Sequence, residues 1–343
     1  MSAYHLAILN TGLVTPVGLT APSSCGAFRA KVTNPTPTRF MAEDGEWIMA
    51  HQVALEQPWR GLGKLARMAA MAIEEALAPV SKAEWGGLPL LLCVAEADRR
   101  GRMQGLDEQL FSMIQDELGV HFATGSGLIA QGRVAVAVGL AQARLLISRG
   151  QATRVLIVAA DSLLDWPSLS HFANGYRLLI ANNSNGFMPG EAAGALLVGQ
   201  PRGVAGELVC SGLGFARETA HIDSGEPLRA DGLSQAIKAA LSEAGLQMHD
   251  MDFRITDLSG EQYYFKEATL ALSRTMRVLK EAFDIWHPAE CTGETGAAAG
   301  MSIIAQALEA CRKGYTLGPN ILAHMSNDAG QRAALSLQYR TAA

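Results

Sequence analysis

Apolar residues along the chain fall into two alternating patterns, short continuous runs and longer stretches with helical spacing. The continuous runs at 89–95 and 154–161 are typical of strands covered on both faces of a parallel sheet. The stretches 134–148 and 301–311 are apolar almost all round, which predicts two helices buried in the middle of the protein. Strands alternating with helices favour a largely parallel α/β sheet.

The same patterns predict the remaining elements. Further strands are predicted at 5–9, 192–198, 206–213, 253–258, 321–324 and 334–339. Further helices are predicted at 21–30, 64–78, 106–118, 233–244 and 264–283. Because the pattern starts again after 200–203, we expect two similar halves, 1–203 and 204–343, although they share no obvious sequence repeat.

Composition narrows the class of protein. The chain has 343 residues, 49% of them hydrophobic, which is ample for a large core. Its formal net charge is −5 with no basic stripe, so we expect no nucleic-acid partner. The sequence shows neither a run long enough to span a bilayer nor a secretory signal, which predicts a cytoplasmic protein without membrane association. The five cysteines are scattered and the histidines lack ligand spacing, so no metal site or disulfide framework is expected.

Three segments carry a resemblance to a known family. They are AILNTGLVTPVG at 7–18, GFMPGEAAGALLV at 186–198 and GETGAAAG at 293–300. In this order they resemble the "TGxGxVTPxG", "DGFVxGEGAGxLVLE" and "GHTxGAAG" segments of β-ketoacyl synthases, members of the thiolase superfamily. The resemblance spans most of the chain. It implies a thiolase-like five-layer αβαβα sandwich made of two similar halves, usually a homodimer.

The resemblance also indicates where the family's catalytic groups would lie. The family nucleophile is a cysteine at the start of the first buried helix, where the helix N-terminus stabilises a thiolate and presents N–H groups to an oxyanion. Counting back at family spacing from the turn at 150–151 places that position at Arg133. The two family histidines correspond to Ser259 and Glu294, and the accompanying lysine to Ala289. The segment 326–331 corresponds loosely to the family's Gly-rich gating loop. The resemblance therefore implies a degenerate active site.

Arg133 and Glu294 occupy positions that face each other in the family. A cation at a helix N-terminus opposes the helix dipole, and burying it alone is costly. We therefore predict an ion pair between Arg133 and Glu294 that fills the former active site.

Other candidate nucleophiles are weaker. Cys291 lies three residues before Glu294 and could act with His287 or His324 as base, but an ordinary half-buried thiol is favoured. Thr124 and Ser126 lie in a Gly/Ser turn without the strand and helix of a nucleophile elbow.

Three further features of the sequence have ordinary explanations. Glu191 is expected to be structural, as in the family motif. The glycines at 296–300 indicate close helix packing rather than a phosphate cradle. For residues 171–172, a tunnel remnant and surface packing stay open.

The sequence thus favours a non-catalytic β-ketoacyl-synthase-like scaffold or accessory protein without a cofactor. Expected partners are a second copy, an active synthase, an acyl carrier protein or a secretion component. Proteins resembling degenerate ketoacyl synthases occur in bacterial type VI secretion gene clusters and in lipid or polyketide pathways, and the short chain favours the first. The rival hypothesis is an acyltransferase or decarboxylase that acts on acyl thioesters through a non-standard site.

Overall fold

A computed structural model describes residues 5–42 and 45–341. The strands are β1 (Leu6–Val14), β2 (Thr36–Met41), β3 (Trp47–Ala50), β4 (Leu90–Val94), β5 (Gly127–Ala130), β6 (Arg154–Ser162), β7 (Glu191–Gly199), β8 (Leu208–Arg217), β9 (Phe253–Thr256), β10 (Ile285–Trp286), β11 (Asn320–Ser326) and β12 (Gln331–Tyr339). The helices are α1 (Ala21–Ala30), α2 (Gly61–Ala76), α3 (Lys82–Trp85), α4 (Leu110–Leu118), α5 (Ala135–Ser148), α6 (Trp166–Asn174), α7 (Asp231–Ala244), α8 (Gln262–Thr275), α9 (Ala289–Thr292) and α10 (Ala299–Arg312). Short 3₁₀ turns are formed by Gly132–Val134, Met248–Asp250 and Gly296–Ala298.

The main sheet repeats one topology twice. Its first half has the strand order β5-β4-β6-β7-β1, and its second half has the order β10-β9-β11-β12-β8. In each half the first three strands are parallel and the last two pair antiparallel. The halves meet where β1 pairs with β8. The two similar halves are confirmed as a feature of the fold, while the boundary at residue 203, between β7 and β8, stays a prediction.

Helices cover both faces of each half. The two predicted buried helices, α5 and α10, share one hydrophobic core with strands from both halves. This core lies between the two halves of the sheet. On the outer side of the first half, α2 and α4 form a second core. On the outer side of the second half, α7 packs with α8 in a third core. The layers therefore alternate as αβαβα, as the resemblance implied.

Two predicted details are wrong. The sheet is mixed rather than largely parallel, because β7, β1, β8 and β12 run antiparallel to their neighbours. The helix predicted at 264–283 ends at Thr275, since Met276 adopts an extended conformation. Beyond that point, the Lys280 ammonium bonds the carbonyl oxygens of His249 and Met251, so tertiary contacts override the helical spacing. Within the described ranges, no helix has the length and apolar character needed to cross a bilayer.

Candidate functional site

The two buried helices begin in the same way and face each other. Each is preceded by a 3₁₀ turn that starts with a glycine of positive φ, Gly132 at 53° and Gly296 at 55°. A Cβ on Gly132 would lie 1.9 Å from Cδ of Glu96, and one on Gly296 would lie 2.1 Å from Oδ2 of Asp161. Glycine is thus needed both for the backbone conformation and for the close approach of a carboxylate to each turn.

Arg133 lies at the start of the first buried helix with only 6% of its surface exposed. Its Nη1 is 3.3 Å from Oε2 of Glu294, which confirms the predicted ion pair. Its Nη2 donates to the hydroxyl of Tyr264 at 2.6 Å and also contacts Asp328 Oδ1. The guanidinium carbon lies 4.4 Å from the centre of the Tyr264 ring. Arg133 is therefore held by two carboxylates and one phenol.

Glu294 brings the other predicted positions together. The hydroxyl of Ser259 donates to Glu294 Oε2 at 2.8 Å, and the N–H of Gly296 donates to Oε1 at 2.8 Å. The three positions singled out in the sequence, Arg133, Ser259 and Glu294, thus form one connected cluster. The Glu294 carboxylate is therefore occupied by three protein groups, the Arg133 guanidinium, the Ser259 hydroxyl and the N–H of Gly296.

Sequence reasoning missed the residues that complete this ion cluster. Arg177 bonds Glu261 through Nε at 2.7 Å and Nη2 at 2.8 Å. Its Nη1 donates to Asp328 Oδ2 at 2.6 Å, so one carboxylate joins Arg177 to Arg133. Asp328 lies in the segment 326–331 that the resemblance had marked, so its location carried a signal. Arg177 belongs to no motif.

A second ion pair supports the start of α10. Arg99 binds Asp161 in a bidentate manner, at 2.7 and 2.8 Å. Asp161 Oδ2 also accepts the N–H of Ala297 at 2.9 Å. A carboxylate at a helix N-terminus is favoured by the helix dipole, and the bidentate arginine fixes its orientation.

Burial and neighbouring charges shift the pKa values of the carboxyl groups in opposite directions. Burial alone would raise the pKa of Asp328, but Arg133 and Arg177 outweigh it and hold that pKa well below its usual range. Burial raises the pKa of Asp257 to about 7, although Arg133 partly offsets this. Burial likewise raises the pKa of Glu96 against the opposing effect of Arg99. Only the pKa of Asp328 is governed by its arginine contacts, and none of the three carboxyl groups is paired with a histidine among the described residues.

Little space is left at the centre. A cavity of about 30 Å³ lies among Glu96, Arg133, Arg177, Glu294 and Asp328. This volume holds about one or two water molecules and is far below the roughly 300 Å³ of small ligand pockets. A cleft of about 420 Å³ opens outside it, lined partly by His171, Phe172 and Arg177. The ion cluster closes the inner end of this cleft.

Cys291, the alternative nucleophile, has no hydrogen bond to a histidine base among the described residues. Burial raises the pKa of Cys291 to about 11, which disfavours the thiolate. Its sulfur contacts the carbonyl oxygen of Ala27 at 4.0 Å. Burial lowers the pKa of His324 to about 3, and within the described residues neither His324 nor His287 bonds Cys291.

The other features noted in the sequence are structural. Ser126 caps a turn through the N–H of Leu90 and the carbonyl of Ala123. Glu191 binds Lys64 and the N–H of Val53. The packing of 171–172 is partly internal, since the buried Phe172 ring meets Phe187 edge-on at 5.0 Å.

Solved structures show the same fold at low sequence identity. One chain in a solved complex of a type II PKS acyl carrier protein with its ketosynthase matches with a TM-score of 0.80 and 16% sequence identity. The match covers 98% of this chain and 99% of the matched chain. One chain in the structure of a ketosynthase with its chain length factor from Xenorhabdus doucetiae matches with a TM-score of 0.78 and 13% sequence identity. The match covers 98% of this chain and 98% of the matched chain. The ishigamide ketosynthase/chain length factor matches at 0.76 and 19%, over 99% of this chain and 100% of that chain. No family model and no curated protein matches.

The fold is therefore that of the thiolase-like ketosynthases, an α/β protein with a mixed sheet, over nearly the whole chain.

Proposed function

We propose that this chain is a non-catalytic ketosynthase-like subunit that acts through assembly with another protein. The observation that carries the proposal is Arg133, buried at the start of α5 and paired with Glu294 and Asp328. In the ketosynthases that the sequence resembles, a cysteine nucleophile belongs at that position.

The chemistry of condensation has no counterpart in this cluster. A thioester intermediate needs a nucleophile with a lone pair to donate, and a guanidinium has only N–H donors. The Ser259 hydroxyl also belongs to this cluster, but it donates a hydrogen bond to Glu294, whose other oxygen accepts the N–H of Gly296. At the start of α10, the N–H groups of Gly296 and Ala297 are occupied by the carboxylates of Glu294 and Asp161.

The proposal is tested by exposing the purified chain to malonyl and acyl thioesters and measuring its intact mass. We expect the mass to stay unchanged and no carbon dioxide to be released, because no group at the start of α5 can form a thioester. Variants Ser259→Ala and Cys291→Ala serve as matched controls. A stoichiometric acyl adduct, or carbon dioxide release that either variant abolishes, would instead support the acyltransferase or decarboxylase hypothesis.

The partner surface that we propose is the free edge of β5. Within the part of the chain that the structure describes, this strand ends the sheet and pairs only with β4, so its other edge presents unpaired backbone groups. Its sequence Gly127–Ala130 contains none of the charges or prolines that usually protect such an edge. Since the strand leads within three residues to Arg133, a subunit paired along it would lie beside the ion cluster. Two of the similar solved structures contain a ketosynthase with its chain length factor.

We expect a second copy of the chain to occupy this edge, giving a particle of about twice the 36.4 kDa chain in light scattering. Leu128 packs partly buried against the core of α2 and α4, next to this edge. Leu128→Lys puts a charge on the edge strand and should shift the particle to the mass of one chain while the circular dichroism spectrum stays that of the folded chain. Val204→Lys, at an exposed apolar position between β7 and β8, should leave the dimer intact. A wild-type chain that stays monomeric at high micromolar concentration would refute the homodimer. The assignment to a secretion or a lipid or polyketide gene cluster stays a prediction.

A further inference from the structure

The ion cluster and the ion pair next to it contain more carboxylates than arginines. Four carboxylates are bonded to three arginines there, in the pairs Arg133–Glu294, Arg133–Asp328, Arg177–Asp328, Arg177–Glu261 and Arg332–Glu267. The third arginine adjoins the cluster, since its guanidinium carbon lies 5.9 Å from the centre of the Tyr264 ring. Each guanidinium is thus already bonded to a carboxylate, and none is left for a further one.

Asp257 is a fifth buried carboxyl group at the same place, and no arginine binds it. It directly follows β9 and is only 5% exposed. Its Oδ2 accepts the N–H of Ser326, the last residue of β11, at 2.8 Å. Among the described residues, this is the only hydrogen bond of its carboxyl group, and no cation lies within ion-pair distance. A buried carboxylate with a single N–H donor is poorly solvated, so this position favours the neutral acid.

The charges that face Asp257 do not supply a free cation. They come from four elements and belong to Arg133 before α5, Glu294 before α10, Arg332 on β12 and Glu267 on α8. Each of the two arginines is bonded to one of the two carboxylates. Tyr264, also on α8, keeps its proton, because burial raises its pKa well above its usual range. The surroundings therefore have no net positive charge that would hold Asp257 as a carboxylate.

We propose that Asp257 carries a proton in the folded chain and acts as a proton-dependent switch of the ion cluster. When the proton passes to water, the new carboxylate competes with Glu294 for Arg133. The contact between Arg133 and Glu294 is 3.3 Å, the longest of the polar contacts that hold this guanidinium, so it is the contact most easily exchanged. The switch goes beyond the proposed function and does not depend on it.

The direction of the pH dependence follows from the two states of the chain. Burial raises the pKa of Asp257 to about 7 in the folded chain, although Arg133 partly opposes this. In the unfolded chain, an aspartate has a pKa of about 3.9. Between these two values the folded state holds one proton more than the unfolded state, so this group makes the fold less stable as the pH rises. Above the higher value its contribution no longer changes.

The first test compares Asp257→Asn with wild type in urea denaturation of the full chain. Asparagine has the shape of the neutral acid but cannot ionise. We expect the urea midpoint of the variant to exceed that of wild type by an amount that grows from about pH 5 and levels off by about pH 8. Asp98→Asn, which changes an exposed aspartate in the outer cleft, should show no such growth. A difference between Asp257→Asn and wild type that is the same at every pH would overturn the proposal.

The second test detects the proton directly and does not need the Asp257→Asn variant to fold. Infrared spectra of the chain labelled with [¹³C]aspartate separate a protonated aspartic acid from glutamic acids. We expect an aspartic acid band that disappears as the pH rises through about 7. Glu294→Gln should move this loss to lower pH, because it removes a negative charge that faces Asp257. A spectrum without such a band, or no effect of Glu294→Gln on its titration, would refute the switch. Neither test uses a thioester or a partner, so the outcome is separate from that of the proposed function.

Discussion

Replacing Arg133 with alanine is expected to lower the free energy of unfolding by about 3–5 kcal/mol. The substitution leaves Glu294 and Asp328 facing each other across a buried cavity without their shared cation. It also leaves the Tyr264 hydroxyl without one of its partners. The cost arises because the buried Glu294 carboxylate is left without an opposing ion, whereas Asp328 keeps its ion pair with Arg177. Urea denaturation followed by circular dichroism measures it.

A double-mutant cycle separates the ion pair from general packing. Arg133→Met and Glu294→Gln are each expected to destabilise the protein, and the double variant should cost less than the sum, with a coupling of about 1–3 kcal/mol. Arg149→Ala, an exposed arginine at the end of the same helix, should change stability by no more than about 0.5 kcal/mol. A negligible effect of Arg133→Ala, or strict additivity in the cycle, would show that the ion cluster does not stabilise the site.

Gly296→Ala is expected to destabilise the protein by about 3 kcal/mol or more, as steric crowding adds to backbone strain. The new Cβ would meet Asp161 Oδ2 at 2.1 Å, and Asp161 cannot retreat because Arg99 holds both of its oxygens. The residue would also have to keep a φ of 55°. Chemical denaturation again gives the magnitude.

Gly314→Ala provides the matched control for this change. Gly314 has a φ of 69°, but a Cβ there would meet no atom within 4 Å. Gly314→Ala should therefore lower the free energy of unfolding only by the strain of the left-handed conformation, about 1–2 kcal/mol. If Gly296→Ala and Gly314→Ala lower the free energy of unfolding equally, the close approach of Asp161 to the start of α10 does not add to the cost of the substitution. That result would contradict the steric role given to Asp161.

Local sequence signals were sufficient for most of the fold. The apolar stretches at 134–148 and 301–311 predicted α5 and α10 within a few residues, because a helix that is apolar all round can lie only in the interior. The edge strand β5 and the hairpin of β2 and β3 were missed. Their sequences alternate weakly, and pairing with neighbours decides their conformation. The direction of each strand likewise depends on the path of its connections, which is why the sheet is mixed.

In the candidate site, too, some contacts were predicted from the sequence and others were found only in the structure. Spacing from recognisable motifs predicted that Arg133 and Glu294 would meet, since each lies at the start of a buried helix. The partners Arg177 and Tyr264 carried no such signal, because they belong to no motif and approach only through folding. Asp328 contacts Arg133 across 195 positions of sequence.

By itself, the sequence determined the order of elements and the repetition of their pattern, and its resemblance to ketosynthases implied that Arg133, Ser259 and Glu294 stand where a cysteine and two histidines would. The tertiary structure alone decided that those positions are joined in one buried network with Arg177, Tyr264 and Asp328. Helical and strand periodicity is encoded by neighbours a few residues apart, whereas the pairing of buried charges depends on distances between segments that only the folded chain brings together.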